Sequence, residues 1–208
     1  MNGFDGSILS NNHTLLVENI WERLNPDSWP ISINDLPVGS ALVGGAVRDS
    51  LLNRLKDKPD LDFVVPSGAI QLIQSLANKY GGKAIVLDEQ RFIGRLVLED
   101  WSLDFANQTG LEDDLLRRDY RINSIAIRLQ PRPEITDPLG GINDLKDKRL
   151  VAISEKNLVD DPLRLLRGIR FIGEFNFGLE AESKKYIADN ANLLALVSPE
   201  RVNLELKK

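Results

Sequence analysis

The chain has no cysteine among its 208 residues and a single histidine, His13. The first absence removes disulfides, thiolate zinc sites and thiol nucleophiles together, and the second removes any histidine-rich metal centre. His13 lies in "SNNHTLL", where Ser or Asn caps a helix start, and reads as a solvated residue there. Aromatic residues make up only 6% of the chain, so Trp21 and Trp29 read as packing residues rather than a base-stacking platform. No apolar run approaches the roughly 20 residues of a membrane helix. The opening "MNGFDGSILS" lacks the basic-then-apolar order of a secretion signal. The expectation is a cytoplasmic protein with no membrane contact, and no feature marks a protein partner. A net charge of −5 excludes holding nucleic acid by bulk charge and leaves only local basic clusters for that purpose. Chemistry must therefore come from carboxylates, Arg and Lys, hydroxyls and backbone.

Apolar periodicity predicts a helix over "HTLLVENIWERL", ended by "NPDSWP", then a short buried strand "SALVGG" and a helix opening at "AVRDSLLNRL". The strand "LDFVV" follows, then an amphipathic helix "SGAIQLIQSLANKY" closed by Gly81-Gly82. Three apolar segments come next, "AIVL", "FIGRLVL" and "WSLDFA", the last two joined by a tight Glu99-Asp100 turn. The order predicts an α+β fold, a mixed, antiparallel-rich sheet with helices on one side. After it come a helix "LEDDLLRRD", a strand "INSIAIRL", a Pro/Gly-rich loop and then mostly helix. The expected divisions are an N-terminal helix and linker (1–35), an α/β domain (36–155) and an all-α segment (156–208).

In "DKPDLDFVV", Asp60 and Asp62 project to one face of a strand while Leu61 and Phe63 enter the core. Two close carboxylates repel unless a cation lies between them, and hard oxygen ligands at this spacing suit Mg²⁺, with Mn²⁺ as an alternative ion. Asp104 in "SLDFA" repeats the pattern and is a candidate third carboxylate; three on neighbouring strands make a two-metal phosphoryl-transfer site. The competing reading is a solvated strand face. Just upstream, "LVGGAVRD" reads as strand, Gly-Gly turn and helix start, where free N–H groups receive phosphate. Gly44 and Gly45 permit close backbone approach, with Arg48 and Asp49 in the first turn; a purely structural glycine turn is the alternative.

These residues carry a resemblance. "LVGGAVRDSLLNRLKDKPDLDFVV" resembles the active-site opening of the class II tRNA nucleotidyltransferase and bacterial poly(A) polymerase family. In order downstream, "RRDYRINSIAI", "DPLGGINDL" and "DDPLRLLRGIRF" resemble that family's Arg-Arg-Asp motif, Asp-Pro-Gly loop and base-reading helix, so the likeness covers about residues 40 to 205. It implies a polymerase-β-like nucleotidyltransferase head followed by the start of an all-α neck, and a Mg²⁺-dependent enzyme that adds nucleotides from CTP and ATP to the tRNA 3′ end. It implies that Arg118, Asp119 and Asn123 contact the sugar and triphosphate. The base-reading helix is expected over 160–171, with Asp160 as N-cap and Pro162 in the first turn. Asp161 and Arg164 then share a face. A carboxylate accepts from the exocyclic amine of cytosine or adenine while a guanidinium donates to the ring nitrogen, an order that uracil and guanine reverse. A surface ion pair between Asp161 and Arg164 is the bland alternative. Arg167 and Arg170 either contact phosphate or brace the acidic loop.

Two departures qualify the resemblance. Only "FANQTG" separates the Asp104 strand from "LEDDLLRRD", where CCA-completing members have a longer flexible loop, which resembles the branch that adds CC and stops. The chain also ends in "SPERVNLELKK", like the start of a neck, without the family's body and tail, which implies weak tRNA affinity. A poly(A) polymerase of the same family, or a nucleotide-binding module without catalysis, are the other readings.

Overall fold

The computed structural model describes residues 13–208 apart from Thr109. It resolves into two compact units interleaved in sequence: one runs to Leu115 and resumes over Ile125–Asp137, the other takes Leu116–Ser124 and Pro138–Lys208.

In the first unit α1 (His13–Leu24) precedes β1 (Ala41–Val43), α2 (Gly45–Leu51), β2 (Leu61–Val65) and α3 (Ala69–Tyr80). Then come β3 (Lys83–Asp88), β4 (Ile93–Leu98), β5 (Trp101–Asn107), α4 (Leu111–Leu116), β6 (Ala126–Arg128) and β7 (Glu134–Thr136). His13 is the exposed first residue of α1; its expected cap, Ser10 to Asn12, lies outside the described residues. The strands form a seven-stranded sheet in the order β3-β4-β5-β2-β1-β6-β7. Its ladders are antiparallel except for β2 with β5. That exception follows from chain order, since α3 and the β3-β4 hairpin intervene before the chain returns beside β2.

Each face of the sheet has its own fate. Leu61, Phe63 and Val65 are buried, and Phe63 stacks on Phe105 at 4.9 Å between centroids with Trp29 edge-on at 5.6 Å. Trp29 is thus a packing residue, and its indole N–H donates to the Leu24 carbonyl at 2.9 Å. On the opposite face Ala41, Val43, Val64 and Ala126 form a buried cluster with Leu111 and Leu115 of α4. The expectation of helices on one side therefore misses α4, whose two apolar residues cover part of the second face. The same face carries Asp62, one step along the strand direction from Val64, in an alternation of period two.

The second unit contains α5 (Gly141–Lys146), β8 (Arg149–Leu150), α6 (Glu155–Asp160), α7 (Leu163–Phe175), β9 (Gly178–Leu179), α8 (Ala181–Asp189) and α9 (Pro199–Leu206). Sequence periodicity misses the small parallel β8-β9 pair and α5, which opens inside the Pro/Gly-rich stretch where Gly140 turns at φ 72°. The predicted helix "LEDDLLRRD" stops at Leu116. Asn157 takes up the freed carbonyls, its side-chain amide donating to Leu116 O and Arg118 O at 2.7 Å each. The predicted strand "INSIAIRL" begins only at Ala126, because Arg121–Asn123 form a 3₁₀ turn.

Within this unit Tyr120 is fully buried, edge-on to Phe171 at 5.9 Å, and its hydroxyl donates to the Arg164 carbonyl at 3.0 Å. That reach depends on Gly168: a Cβ there would lie 2.0 Å from Tyr120 Oη and 2.7 Å from Cζ. Gly168→Ala is expected to destabilise the protein by about 1–3 kcal/mol through overpacking. Urea unfolding measures this, and adding Tyr120→Phe, which deletes the clashing oxygen, should recover part of the loss.

Candidate active site

The first unit assembles a charged row across three strands. In the ladders, Arg95 of β4 stands opposite Asp104 of β5, Asp104 beside Asp62 of β2, and Asp62 opposite Val43 of β1. Directly paired residues share a face, so Arg95, Asp104 and Asp62 project together. Arg95 grips Asp104 with two prongs, Nε to Oδ1 at 2.6 Å and Nη2 to Oδ2 at 2.8 Å. The Arg95 pKa is raised above its ordinary value, first by that hydrogen bond and further by the charges of Asp104, Asp60 and Asp62. Asp60 precedes β2 and is exposed, and Asp62 is half-buried. Asp104 and Asp62 thus stand side by side on one face of the sheet, with Arg95 on Asp104 and Asp60 two residues before Asp62. Among the described residues no three carboxylate or imidazole side chains are gathered closely enough to form a complete metal cage. Two accessible carboxylates fit a hard divalent ion that completes its shell with phosphate oxygens and water.

The row ends at the glycine turn. β1 finishes at Val43, and Gly44 adopts φ 74°, ψ −126°, a conformation open only to glycine. This sharp reversal starts α2 at Gly45, two residues past Val43, which stands opposite Asp62, and the Gly44 N–H is tied to the Ile125 carbonyl at 3.2 Å. A Cβ on Gly45 would meet nothing closer than Arg48 Nη2 at 3.8 Å, so its approach is open. Arg48 is 7% exposed and forks onto Asp49, with Nε to Oδ1 at 2.9 Å.

The second unit gathers the remaining candidates around Asp119, which is buried. Its Oδ1 accepts from the Tyr120 N–H at 2.8 Å and Asn123 Nδ2 at 2.9 Å, and its Oδ2 accepts from Arg167 Nε at 2.7 Å. Burial pushes this carboxyl up, but the Arg167 charge and the three hydrogen bonds outweigh it and leave the pKa below the ordinary carboxylate value. Arg167 thus pairs with the buried Asp119. Arg170 likewise binds Glu205 of α9, Nε to Oε1 at 2.6 Å, and Glu174 on its own helix. Arg118, which precedes Asp119 in the chain, is half-buried.

The helix expected over 160–171 starts later in the chain. Asp160 ends α6, paired with Lys156 at 2.6 Å, and α7 begins at Leu163 with Pro162 before it. The cause is Pro162, which drives the preceding Asp161 out of the helical region to φ −140°, ψ 94°. Asp161 and Arg164 therefore do not share a helix face; the Arg164 N–H instead closes a turn onto the Asp161 carbonyl at 2.9 Å. Nor do their side chains form an ion pair. Asp161 accepts from Arg201 Nη2 at 3.1 and 3.0 Å, and Arg164 Nη1 donates to the carbonyls of Arg117 at 2.8 Å and Asn157 at 2.9 Å.

Arg95, Asn157, Arg201 and Glu205 escaped the sequence reading. Arg95 was within reach of it: the two-residue turn at Glu99-Asp100 sets Leu98 opposite Trp101, and counting back three residues on each strand sets Arg95 opposite Asp104. The other three are joined to the site by long-range contacts that no local pattern encodes.

Comparison with known proteins gives a consistent picture. Residues 40–108 and 97–151 match the poly A polymerase head domain. A CC-adding tRNA nucleotidyltransferase of Synechocystis sp. is 42% identical over 178 residues, 85% of this chain and 42% of that protein. An A-adding tRNA nucleotidyltransferase of Deinococcus radiodurans is also 42% identical, over 82% of this chain and 39% of its own length. Among solved structures, the Thermotoga maritima CCA-adding enzyme complexed with tRNA-CCA superposes with a TM-score of 0.72 at 28% identity, covering 97% of this chain and 48% of that one. The chain thus spans about two fifths of the length of these curated relatives.

Two outcomes are expected from the Asp119 network. Arg167→Met should cost about 3 kcal/mol in urea unfolding, because it strands a buried carboxylate. Since the folded pKa of Asp119 is lowered, its contribution to stability is present above the unfolded value of about 4 and is lost as pH falls through the folded value. Urea midpoints measured from pH 6 downward should therefore fall less steeply in Asp119→Asn than in the wild type.

Proposed function

The chain belongs to the poly A polymerase head domain family, and from that premise we propose that it is a tRNA nucleotidyltransferase that adds C, and in a fuller form A, to the tRNA 3′ end from CTP and ATP. The observation that carries the reading is the adjacency, within one sheet, of the Asp60/Asp62 carboxylates to the Gly44 turn, since phosphoryl transfer needs a cation and a phosphate cradle side by side. Asp60 and Asp62 would hold Mg²⁺ or Mn²⁺, which when bound supplies activation of the attacking hydroxyl and neutralises phosphate charge. Gly44 and Gly45 let the triphosphate approach the backbone of the turn closely, with Arg48 behind them. The RNA 3′ hydroxyl attacks the α-phosphorus and pyrophosphate leaves, without a covalent enzyme intermediate. Arg118 meets the nucleotide's phosphates, while Asp119, Asn123 and Arg167 keep that segment in shape. Asp161 and Arg164 select bases with an amine beside a ring acceptor, and Arg201 and the Asn157 carbonyl hold their side chains ready. A cytoplasmic location goes with a tRNA substrate.

The relatives with CC-adding and A-adding names are equally similar, so the finer choice rests on the short connection from Asn107 to Leu111. Gln108 is fixed there, its N–H on the Val65 carbonyl at 2.9 Å and its Nε2 on the Gly39 carbonyl at 3.2 Å. This brevity supports addition of CC followed by arrest.

The test is primer extension at single-nucleotide resolution on tRNAs ending at the discriminator base, C or CC, with each NTP alone and with CTP plus ATP. Arrest at CC is expected, with activity lost in Asp60→Ala/Asp62→Ala. Completion to CCA would overturn the finer proposal only. A-tails on unrelated RNAs would identify a poly(A) polymerase, and no incorporation by the wild type would leave a nucleotide-binding module.

A further inference from the structure

Where α4 ends, three successive carbonyls are taken up by side chains from α6 and α7. Asn157 Nδ2 donates to Leu116 O and Arg118 O at 2.7 Å each, and between them Arg117 O accepts from Arg164 Nη1 at 2.8 Å. The same Nη1 donates to the Asn157 carbonyl at 2.9 Å. Two carbonyls can be served only by the amide nitrogen, so the orientation of the Asn157 amide is fixed, and its Oδ1 accepts from the Ser154 hydroxyl at 2.9 Å. Ser154 is the N-cap of α6, and its hydroxyl in turn accepts from the Asn157 N–H at 3.1 Å. Further along the same segment, the Tyr120 hydroxyl reaches the Arg164 carbonyl at 3.0 Å. Arg164 is thus held at its backbone and at one prong. Its Nε and Nη2, the side-on edge of the guanidinium, make no hydrogen bond to any described residue.

Resting on the reading of Arg118 as a phosphate contact and Arg164 as a base selector, we propose that Asn157 is a positioning residue that sets both at once. Its amide nitrogen fixes the turn that carries Arg118, while its carbonyl and that of Arg117 tether Arg164 by Nη1 and leave the side-on edge for the base. The physical basis lies in the end of the helix. The last carbonyls of a helix have no intrahelical partner, and a side-chain donor that satisfies two of them fixes the backbone from which the neighbouring side chains project. A long side chain already ordered in its binding rotamer loses less freedom when ligand arrives. Recognition of the nucleotide's two ends, triphosphate and base, is therefore coupled through one amide.

The experiment is isothermal titration of the 208-residue chain, in Mg²⁺ and without RNA, with CTP, UTP and inorganic tripolyphosphate. Two variants supply the references: Arg164→Ala should remove the preference for CTP over UTP, and Arg118→Ala should weaken tripolyphosphate. Asn157→Ala is expected to do both, lowering the CTP preference roughly tenfold, the effect of one lost hydrogen bond, and weakening tripolyphosphate. Ser154→Ala frees Oδ1 but keeps the amide nitrogen, and should shift both quantities in the same direction by less. Thermal unfolding checks that each variant is folded at the temperature of the titration.

Equal weakening of CTP and UTP in Asn157→Ala, with the preference kept, would mean that Asn157 only braces the backbone, and would overturn the proposal. No change in that variant would overturn it too. A lowered preference with tripolyphosphate binding intact would overturn the link to Arg118 and leave the tether on Arg164. The underlying reading fails separately: a CTP preference kept in Arg164→Ala would remove the base-selecting role of Arg164, and undiminished tripolyphosphate binding in Arg118→Ala would remove the phosphate role of Arg118. Binding of none of the three ligands by the wild type would overturn both.

Discussion

Like charges side by side on neighbouring strands repel, and the parallel pairing of β2 with β5 puts Asp62 directly beside Asp104. Strands in a ladder are about 4.8 Å apart, so the sheet cannot relieve this by moving its backbone. Arg95 of β4 sets a cation against this pair from within the sheet. Everything around the row is consistent with keeping that charge balance in place. Phe63 and Phe105 stack beneath it, α4 covers the apolar part of the same face, and the glycine turn begins where β1 runs out.

The second unit solves a different electrostatic problem. Asp119 is taken out of water and is tolerated because Arg167, Asn123 and a backbone N–H use its acceptor capacity. Tyr120 then fixes the same segment to α7 through the notch at Gly168. Charge and shape reinforce each other here, since the hydroxyl that enters the notch belongs to the residue next to the buried carboxylate.

Much of this was legible in the residues. The Gly-Gly turn and the amphipathic α3 follow from periodicities that local geometry enforces and stand at the expected positions, whereas of the i, i+2 carboxylates only Asp62 lies in the strand, which begins one residue after Asp60. Helix ends were less legible. The helix expected to run to Asp119 stops at Leu116, where the Asn157 side-chain amide takes up the carbonyls of Leu116 and Arg118. Pro162 leads into the helix from the position just before it, and its steric effect falls on Asp161. Arg201 and Glu205 were illegible for a different reason: their importance lies in partners 40 and 35 residues away.

The interleaved path of the chain has a consequence for how such a protein can be divided or recombined. Leu116–Ser124 folds with α6 and α7, although the sheet strand β6 follows it immediately. A cut placed after β7 would leave Asp119 without Arg167, and a cut before α4 would strip Leu111 and Leu115 from the sheet. Neither unit can be cut out as one continuous stretch of chain, so a dissection that keeps these contacts must carry the segment before β6 with α6 and α7.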